Sequence, residues 1–173
     1  LPVVDFTPTS VCLNTATQFT DLSTVTLGSN VAWTWNFGDA TALNLSQNPM
    51  HTYATDGTFQ AELFVTTNHA CKDSLTKTVT VHPNPVVSFV SDSLYGCAGV
   101  IANFTDNSII NAPSDPSLFT WNWNFGNGLT STNQNPQGII FGNISNTSTA
   151  LYTVSLTVTA GVLYGSCSTT DSI

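Results

Sequence analysis

Charge is what this sequence has least of. Only 7% of its 173 residues are Asp, Glu, Lys or Arg, where an ordinary soluble domain carries roughly a quarter. There is no arginine, the only basic side chains are Lys72 and Lys77, and the formal net charge is −8. A nucleic acid or an anionic membrane surface is recognised by clustered cations, so neither is a principal partner. Long hydrophobic runs are missing too. Nothing approaches the roughly 20 apolar residues of a membrane-spanning helix, which excludes direct membrane insertion of that kind. No basic and apolar leader precedes Leu1 and there is no starting Met, so the expectation is a processed protein or a segment of a longer one. Cysteines number four, in two equivalent pairs with none left over, and point to an oxidising compartment. The hydrophobic fraction of 41% is ample for a folded core. The surface must therefore be covered by hydroxyls and amides.

What the chain does have, it has twice. Trp33-Thr34-Trp35-Asn36-Phe37-Gly38-Asp39 returns as Trp121-Asn122-Trp123-Asn124-Phe125-Gly126-Asn127-Gly128. Strand alternation puts Trp33, Trp35 and Phe37 on one face and Thr34 and Asn36 on the other, and Trp121, Trp123 and Phe125 repeat the phase. Gly38 and Gly126 permit a bulge or a positive φ, and Asn127-Gly128 is the dipeptide that suits a type I′ hairpin. Two aromatic strands imply two cores.

The repeat extends along the whole chain. Pro2-Val3-Val4-Asp5-Phe6 matches Pro85-Val86-Val87-Ser88-Phe89, Cys12 stands before Phe19-Thr20-Asp21 as Cys97 stands before Phe104-Thr105-Asp106, and Gln47-Asn48-Pro49 matches Gln134-Asn135-Pro136. Two clean period-2 strands follow, Phe59 to Val65 and Tyr152 to Val158, with Phe64 pointing outward as a single exposed aromatic or a contact with a neighbouring domain. The second copy carries two longer loops, Ile109 to Phe119 and Gly138 to Thr149. The domains expected are 1–83 and 84–173, joined by His82-Pro83-Asn84-Pro85. The second copy reaches Asp171-Ser172-Ile173 with its last strand mostly missing, and the expectation is that the protein continues or that another chain supplies the strand. Short strands at this spacing with no helical periodicity predict an all-β chain of two tandem immunoglobulin-like β-sandwiches. Pairing Cys12 with Cys71 and Cys97 with Cys167 is the arrangement that respects the repeat.

Trp-x-Trp-Asn-Phe-Gly-Asp, followed by Asn48-Pro49-Met50-His51-Thr52-Tyr53, Gly57-x-Phe59 and the Leu63-x-Val65 strand, resembles the PKD (polycystic kidney disease) domain. The likeness covers the whole chain as two copies. The second departs from the pattern, with Asn127 in place of the aspartate and no His-Thr-Tyr after Pro136. The extra cysteines and the Pro-x-Pro-Val-Val-x-Phe junction resemble arrays in large cell-surface proteins of Bacteroidota, including adhesins associated with gliding motility. That resemblance implies an extracellular, cell-surface location.

Catalysis needs a clustered acid, base or nucleophile, and the sequence offers none. His51, His69 and His82 have no counterparts in the second copy and read as surface or turn histidines. No enzyme, catalytic residue or cofactor is expected. Asp21/Asp106 and Asp73/Asp171 recur in both copies. Asp21 and Asp106 read as turn caps through side-chain to backbone hydrogen bonds, and calcium at these recurrent acids is a lesser reading because no Asp-rich loop supplies six to eight oxygens. Asp73-Ser74-Leu75, Asp92-Ser93-Leu94 and Asp171-Ser172-Ile173 resemble the Asp-Ser/Thr-apolar acceptor of Bacteroidota O-glycosylation, which marks Ser74, Ser93 and Ser172. The function expected is a non-enzymatic structural or adhesive repeat of a stalk or filament, its partners neighbouring repeats or identical chains, with a surface polysaccharide or protein as further ligand. The alternative is a carbohydrate- or protein-binding accessory module of a secreted hydrolase, which the inward phase of the tryptophans disfavours.

Overall fold

The computed structural model describes residues 1–96, 99–110, 119–142 and 150–173. They divide into two compact units, Leu1–Pro83 and Asn84–Ile173. The loop Ile109 to Phe119 lies largely outside the described residues, as does 143–149 of the loop expected from Gly138 to Thr149.

In the first unit the elements are β1 (Phe6–Pro8), β2 (Val11–Cys12), β3 (Thr17–Asp21), β4 (Asn30–Asn36), β5 (Met50–His51), β6 (Gly57–Thr67) and β7 (Lys72–His82). They form a three-stranded sheet in the order β1-β3-β5 and a four-stranded sheet in the order β2-β7-β6-β4. All pairings are antiparallel except β2 with β7, where Cys12 lies opposite His82. Alternation along β6 buries Ala61, Leu63 and Val65 and leaves Phe64 exposed. The inner faces meet in one core. Phe6 and Phe19 from the small sheet pack on Trp35 of the large one, with ring centroids 5.1 and 5.3 Å apart. This is a two-layer sandwich.

The second unit repeats the plan. Its strands are β8 (Phe89–Ser91), β9 (Val100–Ala102), β10 (Phe104–Asp106), β11 (Thr120–Asn124), β12 (Thr130–Ser131), β13 (Ile139–Phe141), β14 (Ser155–Thr159) and β15 (Ser168–Ser172). The sheet β12-β11-β14-β15 faces the pairs β10-β8 and β13-β9. Phe89 and Phe104 pack on Trp123 at 5.0 and 5.5 Å, as Phe6 and Phe19 pack on Trp35. The chain is all-β, two immunoglobulin-like sandwiches in tandem. Three expectations change. A last strand is in place, since β15 pairs with β14 along five residues, where β7 has eleven. Strand β13 occupies the start of the segment read as a protruding loop. The type I′ hairpin does not form: Gly126 and Gly128 have positive φ and Asn127 does not, and its side chain instead accepts the Leu129 N–H at 3.0 Å.

Candidate functional site

Each tryptophan strand organises a polar clamp beside its core. Trp35 and Trp123 are fully buried, and their indole N–H groups each donate at 2.9 Å to a backbone carbonyl, of Ser46 and Asn133 respectively. Trp33 and Trp121, one strand pitch earlier, are half-buried. Their indoles donate at 2.7 Å to Asp21 Oδ2 and Asp106 Oδ2. The other carboxylate oxygen of each Asp accepts the N–H of Ser23 or Ser108, at 2.9 and 3.0 Å, the turn-cap role read from the sequence. The repeated Gln-Asn-Pro completes the arrangement. Gln47 and Gln134 donate to the same Oδ2 atoms at 3.0 and 3.2 Å, and Asn48 and Asn135 accept the Asp21 and Asp106 N–H groups at 2.8 Å. The carbonyls of buried Pro49 and Pro136 take the N–H groups of Phe19 and Phe104. A charged acceptor serves several donors at once, the strong form of a hydrogen bond. The clamp ties β3 to β4 and to the loop before β5, and β10 to β11 and the loop before β13.

The strand then ends the same way in both units. Asn36 and Asn124 accept the N–H of Gly38 and Gly126 at 3.0 and 2.9 Å. With φ of 80° and 71°, a Cβ there would lie 2.4 Å from the Gln60 carbonyl oxygen and 2.6 Å from that of Thr153. Glycine is required because backbone meets backbone.

Beyond the glycine the units differ. His51 Nε2 lies 2.6 Å from Asp39 Oδ2, and its ring stacks on Phe37 at 4.0 Å and edge-on to Tyr53 at 4.6 Å. The histidine read as an ordinary turn residue is instead a mostly buried partner of an aspartate, joined across the turn. Burial works to raise the Asp39 pKa, but the Thr41 side chain and N–H and the His51 ring together hold it below the usual carboxylate value. Tyr53 donates to the Phe37 carbonyl at 3.0 Å, and burial followed by the Asp39 charge raises its phenol. In the second unit Ile139 occupies the His51 register position, opposite Ala102 as His51 is opposite Thr17. Phe141 stands where Tyr53 does, and Asn127 donates to the Ile140 carbonyl. Asp and His are replaced together, which the sequence comparison records only as two separate departures.

The cysteine pairing is corrected. Cys12 and Cys167 each take part in a disulfide, while Cys71 is a free thiol, so Cys12–Cys71 does not form. The reason is strand length: Cys71 precedes one end of the eleven-residue β7 and Cys12 sits beside His82 at the other, roughly 33 Å along an extended chain. Cys97, and with it the expected Cys97–Cys167 pair, lies outside the described residues. Of the serines singled out, Ser74 and Ser172 are exposed on β7 and β15, and Ser93 is half-buried after β8. Each of the first two donates its N–H to the preceding aspartate, Asp73 at 2.9 Å and Asp171 at 2.8 Å. Asp92 instead holds Asn103 through its backbone and side-chain N–H groups, which lower its pKa. Among the described residues no three His, Cys, Asp or Glu side chains gather as a metal centre, and no helix is long and apolar enough to cross a membrane.

Two layered units closed by a duplicated tryptophan-aspartate clamp define an immunoglobulin-like sandwich pair. Residues 1–83 match the family model of the PKD domain. The chain is similar to the PKD1 domain of Vibrio anguillarum Epp, with 24% identity over 46% of this chain and 92% of that one and a TM-score of 0.43. It is similar to the PKD1 domain of the Vibrio cholerae metalloprotease PrtV, with 24% identity over 46% and 95% and a TM-score of 0.43. A structure of carbohydrate-binding modules from the β-sandwich superfamily shares 17% identity over 92% of this chain and 54% of that one, with a TM-score of 0.45. No curated protein matches.

Proposed function

We propose that the chain is a non-enzymatic, extracellular repeat module: two consecutive PKD-type units in the stalk or filament of a large bacterial cell-surface adhesin, of the kind associated with gliding motility in Bacteroidota. The observation that carries this reading is the duplicated clamp. In both units the tryptophans, the recurrent aspartate and Gln-Asn-Pro are spent on holding sheets together. Residues repeated for internal stability support a spacer role for the unit. Negative-stain imaging of the native material tests it: long thin fibres are expected, and monodisperse compact particles would overturn it.

A second reading, an accessory module of a secreted hydrolase, is favoured by one residue. Phe64 is 43% exposed on the outer face of β6, flanked across the sheet by Thr34 and Ser74. An apolar ring among hydroxyls is the minimal arrangement for a neutral sugar. Retardation of the chain in polysaccharide gels, lost in Phe64→Ala, would select this reading.

A further inference from the structure

Among the described residues the large sheet of each unit has an edge left open, along β15 and along most of β7, and the ladder fixes which backbone groups there are left over. Val154 and Ile173 exchange both backbone bonds, and Ala160 N–H donates to the Cys167 carbonyl. Odd-numbered residues of β15 therefore face β14, and the N–H and C=O groups of Ser168, Thr170 and Ser172 point outward. In the first unit Thr67 N–H donates to the Cys71 carbonyl, which turns the even-numbered residues of β7 outward. The bond from Leu13 N–H to the His82 carbonyl agrees. β2 covers only the Val81–His82 end of β7, so Ser74 lies on open edge.

We propose that Asp73 and Asp171 are edge guards, which keep these strands from adding the edge strand of a second copy of this chain. Each carboxylate takes the outward N–H of the next residue, Ser74 at 2.9 Å and Ser172 at 2.8 Å. An incoming strand loses that donor, which the side-chain oxygen already holds. The same device stands at the start of β1. Asp5 accepts the Phe6 N–H at 2.8 Å, while Lys77 donates to the Phe6 carbonyl and to Asp5, both at 2.6 Å. The third Asp-Ser triplet shows that placement, not sequence, makes the guard: Asp92 binds Asn103 across the sheet, and Ser93 N–H turns to Ser91 Oγ. Without Asp171, two β15 strands can pair antiparallel about Thr170, Ser168 opposite Ser172 of the second copy, with about six N–H···O bonds. Tandem units of similar sequence hold such edges at high local concentration, which gives the guard its use.

The test compares the unsubstituted chain with Asp73→Ala/Asp171→Ala and Asp73→Asn/Asp171→Asn by sedimentation across a concentration series. The Ala pair is expected to associate with a dissociation constant lowered roughly tenfold or more. The Asn pair, whose amide oxygen accepts the same N–H, should behave as the unsubstituted chain. Equal association of the Ala pair and the unsubstituted chain overturns the proposal, and so does association of the Asn pair to the same extent as the Ala pair. Should the Ala pair not fold, amide exchange on the unsubstituted chain decides. The Ser74 and Ser172 N–H groups should exchange more slowly than those of Thr76 and Thr170, which point the same way without an acceptor among the described residues, and equal rates overturn it.

Discussion

At the scale of single residues, the stability of each unit rests on an aspartate that no surface view would rank highly. Asp21 accepts from an indole, a backbone N–H and an amide, and a lost bond to a charged acceptor costs about 1.5–3 kcal/mol. Because the donors share one acceptor, the costs do not add. Asp21→Ala is expected to destabilise the first unit by about 2–4 kcal/mol, read as a lowered urea midpoint at unchanged slope; a change within 0.5 kcal/mol would refute the clamp. Acid should act through Asp39, Asp5 and Asp92, all held below the ordinary carboxylate pKa. Protonation is then disfavoured by folding. The stability they confer is complete above their unfolded values near 4 and is lost as pH falls through the lower folded ones. Urea midpoints should be level from about pH 7 to 5 and fall below about 4, with a shallower fall in Asp39→Asn. An equally steep fall would show that Asp39 contributes nothing to it.

At the scale of elements, the glycine ending each tryptophan strand separates conformational cost from contact cost. Gly126 and Gly128 both have positive φ, but a Cβ meets the Thr153 backbone only at Gly126. Gly128→Ala should cost about 1–2 kcal/mol, the price of the left-handed region alone, and Gly126→Ala clearly more, since backbone must shift. Equal midpoints for the two in urea would remove the contact argument. Much of this was legible in the sequence, because it is local. Alternation gave the buried phase of Trp35, Phe37, Trp123 and Phe125, and the Asx capacity of Asp21 and Asp106 gave their turns. What was not legible depends on which strands become neighbours. The Trp33–Asp21 bond, the Asp39–His51 pair and the free Cys71 follow from sheet order and strand length, and the repeat alone did not show that Cys12 and Cys71 sit at opposite ends of β7. The Asp-Ser triplets were visible, yet only the ladder shows that two of the three sit on an edge.

At the scale of the whole molecule, the two units share a plan and differ in reinforcement. Each closes a separate core. The first has an eleven-residue β6–β7 pair, the Asp39–His51 pair and the buried Tyr53 bond; the second has a five-residue β14–β15 pair, with Ile139 and Phe141 where His51 and Tyr53 stand. Long antiparallel pairs supply more cross-strand contacts, and a satisfied buried phenol adds about 1 kcal/mol. Unfolding of the chain should therefore show two steps, the second unit melting first. Substitution distinguishes them: Asp106→Ala should lower the earlier step and leave the later one in place, and Asp21→Ala should move the later step toward the earlier. A single transition lowered equally by both substitutions would mean that the units unfold as one, and that the repeat is a cooperative body and not two links in series.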